Sequence, residues 1–429
     1  MFFCNKNSNL DNTKRIIKNN KTILENFSYI TLLQIVVLLA PFITYPYLSR
    51  VLGMELYGLV LSAQMLSSYA TIIVKFGFDS VSARHISINR DSKEKLSEIM
   101  SSILTMRGGL WIISFILYMI VVLIVPIYRE HFLLFLFSFG LTLNVLLFPQ
   151  FFFQGIEKMK YITFISVGIQ VLFVVLTFFV IKEPSDYMFV PVLHSVGYLV
   201  GGGASLYMIF HDYKLSFFLP RRAQAILYFK DALPLFATDT VATVKDKFNY
   251  LLLGVCVGMG EVVPYDISSK LCAVIIQPLM ILNTVIFPKM ARERNNHQFI
   301  KIGLVIFITI AVLLLMVNLF LHTIVHFLAG KEVDLFPIRV YLLSALFLSI
   351  GSYISSSLIV ARGYNKYMFY SIVVTTSFYL LLLATLYYMN MLDTIMAFVG
   401  LTVFSYLVEM IYRVFVAKKI IKSEIVVEK

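Results

Sequence analysis

Residues 27–49 read FSYITLLQIVVLLAPFITYPYLS, an uncharged and mostly apolar run. A helix of this length crosses the ~30 Å hydrocarbon core of a bilayer, and with no water there to satisfy backbone polar groups the run must be helical. Eleven further stretches of similar character follow at 56–78, 103–126, 131–153, 160–181, 189–210, 232–256, 265–288, 301–328, 337–361, 367–388 and 393–416. The chain is therefore expected to be an all-α polytopic membrane protein with about twelve transmembrane helices. Its composition agrees: 59% of the residues are hydrophobic, 14% are charged, and the mean hydropathy is +0.85.

Charge sets the orientation. Of the 36 Lys and Arg residues, 26 fall at the two ends or on the even connections, 4 fall on the odd connections, and 6 lie inside stretches. Residues at the stretch ends are counted here with the adjoining connection. By the positive-inside rule, both termini and every even connection are cytoplasmic. The formal charge of +12 then reflects topology and contact with anionic lipid, and calls for no nucleic acid. Residues 1–26, rich in Asn and Lys without an apolar core, read as a cytoplasmic tail and not a cleaved signal. Residues 417–429 read as a second cytoplasmic tail. Cys4, Cys256 and Cys272 have no metal-ligand spacing, so neither a disulfide nor a metal site is expected.

A polar segment at 211–231 divides the chain into a six-helix bundle at 27–210 and another at 232–416. Gly155 and Lys158 recur as Gly363 and Lys366, and Gly53 after the first stretch recurs as Gly258 after the seventh. An even number of crossings in each half makes the repeats parallel, related by a pseudo-two-fold axis along the membrane normal. Transporters with such repeats bind substrate between the halves and work by rocking one against the other.

The seventh stretch carries the anomaly: Asp239, Lys245, Asp246, Lys247 and Asn249 with three threonines. Four charges facing lipid would cost on the order of 10 kcal/mol, so they must face protein or water. Asp239, Thr243, Asp246 and Tyr250 form one helical stripe. Two plainer readings stand beside a transport role. Residues 232–250 could lie flat on the membrane, although this would invert the charge rule for the whole second half. Asp246 could serve only to neutralise a neighbouring lysine. Gln64, Ser68, Thr71 and Lys75 form a polar stripe on the second stretch that continues to Asp79; Asp266, Lys270, Gln277 and Thr284 form another on the eighth. Lys75 and Lys270 both lie near helix ends, where a lysine can simply snorkel to water. In the first stretch Gln34, Pro41 and Tyr45 share a face with Pro46 just beyond, and the two prolines are candidate gating points.

Thr44-Tyr45-Pro46-Tyr47-Leu48-Ser49-Arg50-Val51-Leu52-Gly53, followed by Tyr57-Gly58, resembles the signature of the Wzx-type bacterial O-antigen flippases. The resemblance extends to Phe76-Gly77-Phe78-Asp79 with Ser82-Ala83-Arg84 and Ile86-Ser87, and to Gln154-Gly155-Ile156-Glu157-Lys158-Met159-Lys160. It continues in Tyr265 with Lys270 and in Phe287-Pro288-Lys289-Met290. That family belongs to the multidrug/oligosaccharidyl-lipid/polysaccharide (MOP) exporter superfamily. The resemblance implies two six-helix bundles around a cation-lined cavity that moves undecaprenyl-diphosphate-linked oligosaccharide to the periplasmic leaflet by alternating access. A polysaccharide polymerase and a chain-length regulator would be further partners. Lys75 departs from the acid that relatives often carry before the Phe-Gly pair, which puts proton coupling at that position in doubt.

A diphosphate head needs counter-charge to cross hydrocarbon. The candidate cavity residues are Lys245, Lys247, Lys270, Lys75, Arg50, Gln64 and Gln277, and the candidates for ion coupling are Asp239, Asp246 and Asp79. No phosphate-binding GxxxxGK[ST] run and no catalytic constellation is present, so transport without a cofactor or enzymatic step is expected. One rival is a drug exporter of the same fold, which would favour an acid deep in the first stretch; none is there. The other is a non-transporting assembly subunit, which the polar stripes argue against.

Overall fold

The computed structural model describes the backbone of residues 5–220, 222–293 and 295–427. Side chains are described over 25–423 except at 221, 238–239, 242, 244–246, 284–285, 288–289 and 294. Among the described residues every regular element is helical. The first half runs α1 (Asn5–Lys75), α2 (Phe78–Ile88), α3 (Lys93–Ile124), α4 (Pro126–Glu130), α5 (Phe132–Ser138), α6 (Leu143–Leu147), α7 (Gln150–Gly155), α8 (Met159–Val180) and α9 (Phe189–Tyr207). The second runs α10 (Arg222–Cys256), α11 (Met259–Glu293), α12 (Asn296–Leu319), α13 (Leu321–Ala329), α14 (Leu335–Leu342), α15 (Ser344–Ile354), α16 (Asn365–Tyr388) and α17 (Ile395–Val427).

Ten helices among the described residues are long and apolar enough to cross a membrane, against the twelve expected. One difference is that Glu25–Ile88 counts as a single helical run where the sequence divides into two stretches. The other is α10, home of the charges at 237–250, which is not among the ten.

α1 is not straight. Gly53 has φ 75° and ψ 166°, a conformation closed to L side chains, and the chain doubles back there. Tyr45 and Tyr57, which would stand about 18 Å apart along an unbroken helix, instead meet edge to face at 4.8 Å. A first limb ends at Gly53 and a second limb returns. Its echo Gly258 (φ 143°) marks the turn between α10 and α11. The other echoed pair is not equivalent: Gly363 has φ 85°, whereas Gly155 is helical, packed on Ile86, and hands the left-handed position to Glu157.

The fourth stretch is also interrupted. α5 passes through a 3-10 turn at Phe139–Thr142 into α6, then breaks before α7. Pro149 excludes helical dihedrals for the residue before it, and Phe148 accordingly takes φ −109°, ψ 88°.

α1 packs on α11, α8, α3 and α10, and so lies against both halves. Two buried apolar clusters follow from this placement. One, around Tyr45, Leu48, Leu52, Val262 and Leu328, merges the halves at the Gly53 end. The other gathers Phe76, Phe78 and Phe151–Phe153 with Tyr228 and Ala232 of α10 at the opposite, Gly77 end. Outward faces such as Ile113, Ile116 and Ile120 of α3 stay exposed, as a lipid-facing surface requires.

Candidate functional site

Of the residues that the sequence singled out, the seam between α1 and α11 holds Lys270, Gln34 and Gln277, with Arg50 at its end. At the Gly53 end it is sealed. A Cβ on Gly58 would lie 1.7 Å from the Met259 carbonyl oxygen, so the two backbones approach as only glycine permits. Around this contact, Ser62 Oγ donates to Met259 Sδ (3.4 Å) and four hydrogen bonds to oxygen acceptors join the halves. Tyr45 OH donates to the Val263 carbonyl (3.0 Å) and Ser49 Oγ to that of Leu328 (2.6 Å). Arg50 Nη2 donates to the Phe327 carbonyl (3.0 Å), and the Gly260 N–H donates to Glu55 Oε2 (3.1 Å). The Arg50 guanidinium also lies 5.6 Å from the Phe327 ring centre.

Just beneath the seal, Lys270 pairs with Asp266, one helical turn earlier on α11. The Asp266 side chain is 3% exposed, so its charge is held by this partner and by Tyr250 OH, which donates to Oδ1 at 3.2 Å. Tyr45, from the other half, lays its ring 5.1 Å from the lysine ammonium. Behind them Asn249 forms a polar knot. It donates to Tyr265 OH (3.1 Å) and Thr402 Oγ1 (2.9 Å) and accepts from Tyr379 OH (2.6 Å). A cavity of about 220 Å³ opens beside this knot, lined by Lys247, Tyr250, Ser269, Tyr341 and Tyr406 among others.

At the Gly77 end, Asp79 is shared between two cations. Arg107, 1% exposed, donates to Asp79 Oδ1 at 2.5 Å and to the Val145 carbonyl at 2.9 Å, with its guanidinium over Phe151. Lys75 stands 3.6 Å from the other carboxylate oxygen. Phe76 takes φ 43°, and its ring is sandwiched between Phe229 and Phe236 of α10 at 4.4 and 4.3 Å. On the connection 154–159, the Lys158 ammonium donates to Tyr213 OH (3.1 Å), and this bond holds its pKa above the ordinary lysine value.

The candidates are thus divided among several places. Lys270 lies under the seal, Lys247 lines the second-half cavity, and Lys75 and Asp79 share the Gly77-end cluster. Gln277 Nε2 meets Gln34 Oε1 across the seam at 3.3 Å, and Gln64 is half-buried. Arg50 belongs to the seal and not to a cavity. Pro41 and Pro46 lie in helical backbone, the one non-helical residue inside α1 being Gly53. The side chains of Asp239, Lys245 and Asp246 lie outside the described residues. Sequence reasoning counted Arg107 but gave it no partner, and placed Asp266 in a stripe without a role. A lone arginine inside an apolar stretch was the signal that an acid must meet it.

The description "Polysaccharide biosynthesis protein" belongs to a family whose model matches residues 23–293, well over half the chain. The chain belongs to this family. Among its relatives, a protein of Escherichia coli (strain K12) named "Putative O-antigen transporter" is 29% identical over 194 residues, 45% of this chain and 47% of that protein. One of the same name from Shigella dysenteriae is 26% identical over 266 residues, 62% and 66% of the two chains. The matches thus span about half to two thirds of these relatives. Solved structures share the fold at low identity. An inward-facing multidrug resistance MATE family transporter of the MOP superfamily aligns at TM-score 0.70 with 13% identity, covering 92% of this chain and 99% of that one. A MOP superfamily transporter from Pyrococcus furiosus aligns at 0.61 with 14% identity, covering 94% and 96%. The fold is therefore that of the MOP superfamily, and the protein is a multi-pass membrane protein.

Proposed function

We propose that this chain is a flippase that carries undecaprenyl-diphosphate-linked oligosaccharide from the cytoplasmic to the periplasmic leaflet of the bacterial inner membrane. It does so by alternating access between its halves, 27–210 and 232–416. With both termini cytoplasmic, the Gly53 end faces the periplasm, and the structure is the state closed on that side. The observation that carries this reading is the seam of a chain in the polysaccharide biosynthesis family. Tyr45, Ser49, Arg50 and Glu55 tie the halves at one end, and Lys270 sits directly under that seal beneath Tyr45.

The chemistry is consistent. An anionic diphosphate cannot enter low dielectric without counter-charge, and a tyrosine-rich wall stacks on sugar rings while its hydroxyls bond them. The relatives named as O-antigen transporters support the substrate class. The higher TM-score with the inward-facing MATE structure, 0.70 against 0.61 for an outward-facing one, supports the state. No bond need be broken, so the protein acts without catalysis and hands its cargo to a polymerase and chain-length regulator on the far side.

In a strain with no second flippase, deletion should abolish surface polysaccharide while lipid-linked units accumulate in the cytoplasmic leaflet. Normal polysaccharide in the deletion strain would reject the assignment.

A further inference from the structure

Two clefts abut along the seam between the second limb of α1 and α10. The larger, about 440 Å³, is almost wholly apolar. Leu66, Ala70 and Ile73 of α1 line it at i, i+4 and i+7, Leu117 of α3 forms a second wall, and Phe248 and Leu251 of α10 form the third. The smaller, about 240 Å³, is lined by Ile72, Lys75, Gly77, Phe236 and Thr243. Ile72 and Ile73 are adjacent on α1, and Thr243 lies roughly 7.5 Å from Phe248 along α10, so the second cleft continues the first toward the Gly77 end. The Phe229–Phe76–Phe236 stack closes the line beyond Lys75.

Charge says what such a cleft can select. In a bilayer an apolar cleft gains nothing from the hydrophobic effect, because lipid tails are as apolar as its walls. Any acyl chain can fill it. A particular tail is preferred only when its own headgroup is held next to the opening, which raises its effective concentration there. Such a headgroup site is present. Asp79 is already engaged by buried Arg107 at 2.5 Å, so Lys75, 3.6 Å away with a side chain 45% exposed, is the looser partner. Among the described residues, one carboxylate between two cations gives the cluster a net positive charge at the mouth of the apolar cleft.

We propose that this seam is the lateral entry site of the flippase, where Lys75 holds the diphosphate and the cleft between α1, α3 and α10 receives the first isoprenoid units of the tail. The proposal rests on the flippase reading and adds to it where the substrate leaves the bilayer. The head then lies at the cytoplasmic leaflet with the tail directed toward mid-membrane, the geometry of a lipid arriving from that leaflet.

The test uses the full chain in lipid nanodiscs with undecaprenyl diphosphate bearing a benzophenone on an isoprene near the head. Photocrosslinks are expected at Leu117, Phe248 and Leu251, competed by unlabelled undecaprenyl diphosphate and not by phosphatidylglycerol. Lys75→Gln should lower crosslinking about tenfold, the scale of a lost charged contact. Leu251→Trp and Leu117→Trp fill the cleft from different helices, and at normal membrane abundance each should cut crosslinking and transport. A two-isoprene diphosphate should be affected far less by either. Equal competition by phosphatidylglycerol would mean that bulk lipid alone fills the cleft and would overturn the proposal. Crosslinks at the Gln34–Gln277 seam, with transport intact in both tryptophan variants, would overturn it while leaving the flippase reading standing. A probe that crosslinks nowhere would overturn it as well, and the deletion phenotype decides the flippase reading separately.

Discussion

Gly58→Ala should force open the Gly53 end of the seam. The new Cβ would stand 1.7 Å from the Met259 oxygen, where ordinary contact begins at 3.4 Å. The clash is with backbone, so no rotamer relieves it, and α1 and α11 must part by roughly 1.5–2 Å in a close-packed seam. The four hydrogen bonds to oxygen around that point, from Tyr45, Ser49, Arg50 and to Glu55, lie between 2.6 and 3.1 Å and would be lost or stretched beyond use. At about 1 kcal/mol net each, with no surplus for the two charged bonds because both are exposed to water, the sealed state weakens by about 4 kcal/mol, close to a thousandfold in relative population. Leu52, 4% exposed within the sealed core, reports the change. In a chain whose native cysteines are replaced, Leu52→Cys should resist an impermeant maleimide added from outside, and in the Gly58→Ala background it should react at least about tenfold faster. Transport should fall, because the variant cannot return to the sealed state. Unchanged labelling at equal membrane abundance would refute the argument that this glycine contact holds the gate.

Three further outcomes are expected. Asp266→Ala leaves Lys270 without its carboxylate and should reduce membrane abundance, at about 3–5 kcal/mol for a broken buried pair; Asp266→Asn with Lys270→Gln should restore abundance but not surface polysaccharide, and recovery of both would make the pair purely structural. Replacing Lys245 and Lys247 together by alanine should remove transport while the arginine pair keeps part of it; full transport by a stable variant that also carries Asp246→Asn would assign all three charges to folding. Reporter fusions at Ser185, Lys331 and Met391 should read periplasmic, and a cytoplasmic signal at two of them would end the twelve-crossing topology.

Much of the site was legible where interactions are local. Lys270 and Asp266 are four residues apart on one helix, so their pairing follows from helical geometry. Lys75 and Asp79 are also four apart, but Phe76 and Gly77 between them both take positive φ, so that pair is brought together by the left-handed turn joining α1 to α2 and not by one continuous helix. Arg107 was harder, because its partner lies 28 residues away. Tyr45 shows the limit most clearly. Its helix face was readable, but its contact with Lys270 depends on how two halves of the chain dock. At both prolines α1 has helical dihedrals, and the chain reverses at Gly53, where the left-handed φ is.

The sequence by itself determined that this is a chain of membrane helices with a strong charge asymmetry. Hydrocarbon leaves the backbone no alternative to helix and makes each misplaced charge expensive, so length, apolarity and Lys/Arg position speak without reference to distant residues. Only the tertiary structure decided which charges face one another across distant helices, as Arg107 meets Asp79. It also decided that the halves are sealed at one end through a glycine–backbone contact. Those outcomes depend on close packing between segments some 200 residues apart, such as Gly58 against Met259, where a single carbon atom decides whether two helices can touch.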